Sequence, residues 1–236
     1  MSGHACAGRL ALLLLTGCGG GAPLLHPAHV LAPGFVAFGA GASGQLMVRP
    51  SANAKDESLR RLSVAPGVAP VVAARIGVPG ANEVGLTYTG RSVRADARHA
   101  FQRGDAALSV GLGASMVLPG RPPGNASGND VYGAGADVPI VVGARSRGDA
   151  YAIWAGARGG FELLSGNVGD AGTARDVSVR HVYGGGLVGV RGGFRHVHVA
   201  IEVDAAYHRA SGTIGPDERT IDGFVLTPAG ALIVTF

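Results

Sequence analysis

Past its first 17 residues the sequence holds no run of 18 apolar residues, the length a helix needs to cross a bilayer. A helical membrane protein is thereby excluded. Cysteine is almost missing too: Cys6 and Cys18 are the only two, and both fall at the start, so no disulfide framework can hold the rest of the chain. Charged residues make up 15% and apolar ones 47%, a balance too hydrophobic for a disordered chain. The basic excess is small, a formal +4 with an isoelectric point near 9.5. Its arginines stand mostly singly inside alternating segments, with no Lys/Arg cluster interleaved with aromatics. Nothing concentrates charge as a phosphate-binding groove requires, and no nucleic-acid partner is expected. Glycine, by contrast, is abundant at 41 residues. It has no every-third-residue period, which excludes collagen, and it lies within apolar alternations, where a sharply curved sheet tolerates it.

The stretch from Val179 to Ser211 carries the clearest pattern, two strand-like runs joined by a tight polar turn. In the second run, Val197, Val199, Ile201, Val203, Ala205 and Tyr207 share one face. His196, His198, Ala200, Glu202, Asp204, Ala206 and His208 share the other. Successive strand side chains point to opposite faces, so this is a strand oily on one side and polar on the other. It is too long for an ordinary soluble strand of about 5–6 residues and suits a membrane-crossing strand of about 9–11 with an extension into solvent.

At the N-terminus, Arg9 precedes the apolar run Leu10 to Leu15, the layout of a secretory leader over residues 1–17. The run ends Leu15-Thr16-Gly17-Cys18. That tetrapeptide resembles the bacterial lipobox, which implies acylation of Cys18 as the lipid-attachment site. Residues 18–33, with Pro23, Pro27 and Pro33, read as a flexible tether, and residues 34–236 as one β domain.

Alternation then marks strands near Phe35–Ala42, Val68–Val78, Glu83–Thr89, Ser92–Arg103, Leu108–Met116, Val131–Arg145 and Tyr151–Leu164. The opening pair and a last strand, Phe224–Phe236, bring the number to about ten, with eight possible. Short links are expected after strands two, four, six and eight, and long ones after one, five, seven and nine. Such parity belongs to barrels with short turns at one membrane face and longer loops at the other. The chain stops at Phe236, with Val234, Leu232 and Gly230 on the same face, and this resembles the insertion signal of bacterial outer-membrane barrels. The fold class expected is all-β, an antiparallel up-and-down transmembrane β-barrel. The resemblance implies an outer-membrane location, with membrane lipids and the barrel-insertion machinery as partners.

Pooling the inward positions gives Arg75, Arg94, Asp96, Arg98, Asp137, Arg145, Arg158, Glu162, Arg191, Glu202 and Asp204. The six arginines and five acids are nearly balanced, which favours a paired ionic network filling the lumen over a selective pore. In that network Arg158 is expected to pair with Glu162 or Glu202. Other motifs have plainer readings. Gly184-Gly185-Gly186-Leu187-Val188-Gly189 matches a dinucleotide-binding string but lies between strands, so no cofactor is expected. The two Arg-Gly-Asp triplets, at 103–105 and 147–149, read as turns, and Asn125-Ala126-Ser127 as a surface loop. His196 and His198 sit too far apart for one metal ion, at about 7 Å along the strand, and no catalytic residue is assigned. The expected function is a structural or surface-interaction barrel and not an enzyme. Two alternatives stay open: a soluble lipocalin-like barrel with an oily interior, or a membrane-embedded lipid-modifying enzyme using His208 and Ser211.

Overall fold

The computed structural model describes residues 21–48, 57–64, 66–119, 130–168 and 174–236. The leader, Cys18 and Asn125-Ala126-Ser127 lie outside them. Ten strands form one closed sheet: β1 (Val36–Val48), β2 (Gly67–Val78), β3 (Asn82–Tyr88), β4 (Ser92–Arg103), β5 (Ala106–Val117), β6 (Asp130–Arg145), β7 (Tyr151–Val168), β8 (Arg175–Phe194), β9 (Val197–Ile214) and β10 (Asp217–Thr235). Each pairs antiparallel with its chain neighbour, and β1 pairs with β10 from Ala37↔Thr235 to Val48↔Phe224, so the barrel has no free edge. Ten strands, not eight, close it.

The period-2 pattern decides which face turns outward. On β9, Val197, Val199, Ile201, Val203 and Tyr207 are exposed, while His198, Ala200, Glu202, Ala206 and His208 are buried in the lumen. The same inversion of a soluble protein's pattern recurs around the wall, where Leu86, Leu112, Ile140, Ile153, Val188 and Leu232 face outward. Aromatic side chains bound this apolar belt. Phe35, Phe38, Phe101, Tyr151, Phe194 and Phe236 ring the short-turn end, and Tyr132, Phe161, Tyr207 and Phe224 stand at the other level, all exposed. Tyr151 and Phe161 are ten residues apart on β7. At a rise of about 3.3 Å per residue and a tilt of about 40°, the two levels are about 25 Å apart, the height of a membrane barrel's apolar band. The fold is a transmembrane β-barrel. A lipocalin-like barrel would need Arg158 or Glu202 in solvent; both are buried inside an apolar exterior, which overturns that alternative.

One connection departs from its expected length. β9 and β10 meet in a tight turn at Gly215, whose φ is +61°, and not in a long loop. Both strands run on past Tyr207 and Phe224, carrying Arg209 and Asp222 on the outside and Ala210, Ile214 and Ile221 on the inside. The polar outer residues read as loop, whereas the buried inner ones keep the ladder going. The two Arg-Gly-Asp triplets do lie at turns, with φ of +61° at Gly104 and +83° at Gly148. In the long link after β1, a short helix α1 (Glu57–Ser63) interrupts what the sequence suggested was plain loop.

Candidate functional site

The lumen is filled at three levels. At the long-loop end, Leu59 and Leu62 of α1 pack into an apolar cluster with Val117, Val131, Leu164, Val177 and Ile221. Below it lies a chain of charges of alternating sign. Arg98 Nε donates to Glu83 at 3.0 Å, Arg75 Nη1 donates to Glu83 at 2.8 Å, and Arg75 Nη2 donates to Asp96 at 2.9 Å. Arg94 Nη1 donates to Asp96 at 2.6 Å, and its Nε and Nη2 grip Asp137 at 2.7 and 2.8 Å. Arg158 grips the same carboxylate at 3.2 and 3.1 Å. All seven residues are buried. Strand geometry explains the placement: Arg94, Asp96 and Arg98 are alternate residues of β4 and share one face, while Asp137 reaches them from β6.

The pooled inward set divides here. Arg75, Arg94, Asp96, Arg98, Asp137 and Arg158 join, whereas Glu162 accepts from or pairs with His181 Nδ1 at 3.0 Å. Arg191 pairs with Asp149 in the β6–β7 turn. Arg145 lines a cavity of about 270 Å³ at the short-turn end, and Asp204 lines one of about 70 Å³ in the middle. The partner of Arg158 is therefore Asp137, not Glu162 or Glu202, because Asp137 is the carboxylate its fork reaches from β7. Glu83, which completes the chain, was legible from parity, since it precedes the outward Val84.

The third level is made by the segment before β1. Residues 21–33, read as a free tether, lie inside the barrel from Gly21 to Val30. Glu202, with 1% exposure, accepts from Leu24 N at 2.7 Å, Leu25 N at 3.0 Å and Trp154 Nε1 at 2.9 Å. Leu25 has a φ of +54°, and two successive amides converging on one anion with a left-handed residue among them make an anion-binding nest. Arg98 donates to the carbonyls of Pro27 and His29, Arg158 to that of Ala22, and Ser43 Oγ to that of Gly21. Leu31 N donates to Glu83 at 2.9 Å. Leu24, Leu25 and Ala28 pack against Val71, Val141, Trp154, Leu187 and Ala200. The apolar residues among the prolines were the missed signal. His26 Nε2 and both ring nitrogens of His29 are buried with no hydrogen-bond partner among the described residues. Burial first, then the field of Arg75, Arg98 and Arg94, holds His26 well below its ordinary 6.5.

Room for these large side chains comes from glycine. A Cβ on Gly113 would fall 2.4 Å from Arg94 Nη2, one on Gly85 2.9 Å from Arg75 Cζ, and one on Gly189 2.2 Å from the Trp154 ring. Each guanidinium or indole lies over a bare stretch of neighbouring wall.

The histidines do not form the enzyme-like pair considered above. His208 faces the lumen, where its Nδ1 lies 2.8 Å from His181 Nε2 and its ring stacks on Tyr183 at 5.3 Å. Ser211, an odd number of residues away on the same strand, points to the opposite face, so the two cannot act together. Among the described residues, no hydroxyl is hydrogen-bonded to His181 or His208.

No protein-family model matches the chain, and no curated protein matches it. Solved structures similar to it include Neisserial surface protein A, at 14% identity over 86% of this chain and 96% of that one, with a TM-score of 0.34. The translocator domain of the autotransporter NalP from Neisseria meningitidis matches at 11% identity over 87% and 89%, with a TM-score of 0.42. Ail, the attachment invasion locus protein of Yersinia pestis, matches at 11% identity over 85% and 99%, with a TM-score of 0.32.

Proposed function

We propose that this chain is a surface barrel of the bacterial outer membrane with a structural or surface-interaction role, its lumen sealed by ion pairs and by its own residues 21–33. The observation that carries the reading is the pairing of an apolar belt between two aromatic levels with a lumen occupied, among the described residues, by apolar clusters and a chain of ion pairs. A barrel so occupied offers lipids its outside and leaves solutes only separate cavities of about 270 and 70 Å³ among the described residues. Among the described residues, what it presents to the surroundings is the extension of β8, β9 and β10 beyond the belt, where Arg180, Arg209 and Thr213 are exposed on the outer face. Insertion would rely on Phe236, whose backbone pairs with Val36 in both directions. Acylation of Cys18 is a further part of the proposal, supported by the Leu15-Thr16-Gly17-Cys18 string.

The test is fractionation together with heat-modifiable migration on a gel. The protein should travel with the outer membrane, run faster unheated than boiled, and leave planar bilayers at baseline conductance. Recovery as a soluble periplasmic protein, or a steady open conductance, would refute the reading. Mass spectrometry of the N-terminal peptide should find acyl chains on Cys18, and Cys18→Ser should abolish them; an unmodified cysteine removes the anchor from the proposal.

A further inference from the structure

The hydrogen bonds between the wall and residues 21–33 share a property that a dedicated internal cork does not need. Among the described residues, every one ends on the main chain of the segment: the carbonyls of Gly21, Ala22, Pro27 and His29 and the amides of Leu24, Leu25 and Leu31. None ends on a segment side chain. The wall supplies arginines where the segment offers carbonyls and carboxylates where it offers amides, which is recognition of a polypeptide backbone. Side-chain selectivity is confined to the apolar seat of Leu24, Leu25 and Ala28, walled by Val71, Val141, Trp154 and Leu187. The histidines contribute no hydrogen bond to the wall: His26 Nδ1 faces only the carbonyl of Pro27, at 3.4 Å. Backbone contacts give affinity to any chain that can follow the path, and pockets for particular side chains give specificity, as in other peptide-binding grooves.

We propose that the lumen is a binding site for a short polypeptide segment with two consecutive apolar residues followed within a few positions by a small one. Residues 21–33 are its resident ligand, and a matching segment of another protein can take their place. Glu202 anchors the incoming chain through two successive amides, and Arg98 and Arg158 hold its carbonyls. This goes beyond the surface-barrel reading, which requires only that the lumen be filled.

Ala32, Pro33 and Gly34 are exposed, so the connection between the segment and β1 is open to a protease. The experiment inserts a protease site between Pro33 and Gly34 of the full chain, cuts the folded protein in detergent, and adds a dye-labelled synthetic peptide of residues 19–33. Heat-modifiable migration verifies that the barrel stays closed throughout. Exchange should be saturable. A peptide with His26 and His29 replaced by alanine should bind within about threefold of the native one, and a peptide with Leu24 and Leu25 replaced by aspartate should not bind. Glu202→Gln should weaken retention tenfold or more. The second route needs no cut: the full chain carrying Leu24→Asp and Leu25→Asp, unable to seat its own segment, should bind the same labelled peptide. Failure of the labelled peptide to bind by both routes overturns the proposal, as does strict dependence on the two histidines. Because the barrel's membrane location is read separately, a negative result here leaves the surface-barrel reading standing.

Discussion

Asp137 and Arg158 touch each other, yet the structure makes their removal unequal. The Asp137 carboxylate receives four N–H groups, two from Arg94 at 2.7 and 2.8 Å and two from Arg158 at 3.2 and 3.1 Å. Arg94 has a second carboxylate, Asp96 at 2.6 Å. Arg158 has no second ion pair within 4 Å among the described residues; beyond Asp137 it has the carbonyl of Ala22 and the Tyr183 ring, 5.8 Å from its guanidinium. Asp137→Leu therefore leaves a buried guanidinium without its counter-ion, and breaking a buried pair from one side costs about 3–5 kcal/mol. Arg158→Leu instead leaves Asp137 held by both bonds of Arg94, and what is lost is two long charged hydrogen bonds to Asp137 and one to the Ala22 carbonyl. With the carboxylate still satisfied, that loss is about 1–3 kcal/mol, the usual range for bonds to a charged group. The difference, about 2 kcal/mol, is roughly a factor of 30 in the unfolding equilibrium. Adding Arg158→Leu to Asp137→Leu should recover about 1–3 kcal/mol, because the stranded charge goes. Urea unfolding in detergent micelles, followed by fluorescence of Trp154, the single tryptophan, measures all three variants. Equal losses for the two single variants, or a larger one for Arg158→Leu, would refute the reasoning.

Other outcomes follow from the same packing. Ala28 is fully buried, so Ala28→Leu should overpack its seat by about 1–3 kcal/mol and expel the segment while the barrel keeps its heat-modifiable migration. Gly189→Ala should push the Trp154 ring off the wall and away from Glu202, shifting its emission to the red; an unchanged spectrum counts against the close approach. Ile201→Arg, at the middle of the belt, should cost about 2–4 kcal/mol, against little for Thr213→Arg on the protruding part of the same strand. His26 is held neutral in its seat by burial and by Arg75, Arg98 and Arg94, and released it would titrate near 6.5. Seating is thus fully favoured above that pH and weakens as pH falls below it toward the lowered value. Trp154 emission should shift red on acidification, and His26→Ala should blunt the shift.

Much of this architecture was legible because a strand writes its two faces into alternate letters. The outward set on β9 and the inward Trp154, Arg158 and Glu162 on β7 follow from parity alone. Parity does not say which inward residues meet, since that depends on neighbours across the lumen. Arg158 and Glu162 share a face of β7, but the fork of Arg158 turns to Asp137 while Glu162 meets His181. Residues 21–33 were opaque for a different reason. Their prolines and glycine argue against regular structure, and irregular polar-flanked segments usually lie outside; only a wall prepared with arginines and carboxylates can satisfy such a backbone indoors. The β9–β10 turn was hidden because its flanking strands leave the membrane, where polar outer residues replace the apolar ones that signal a strand.

The ionic chain and the buried segment are one structure and not two seals in series. Arg98 divides its donors between Glu83 and the carbonyls of Pro27 and His29, and Glu83 divides its oxygens between two arginines and Leu31 N. Arg158 does the same between Asp137 and Ala22. The described chain of four arginines and three acids has one positive charge in excess, and the segment's carbonyls take up further donors of Arg98 and Arg158. Without the segment those donors would face an emptied lumen, and water would have to enter to satisfy them. Groups that share donors in this way lose stability non-additively. A lumen built on such sharing holds its segment firmly while every acceptor is in place, and it keeps its affinity for main-chain carbonyls when the segment is gone.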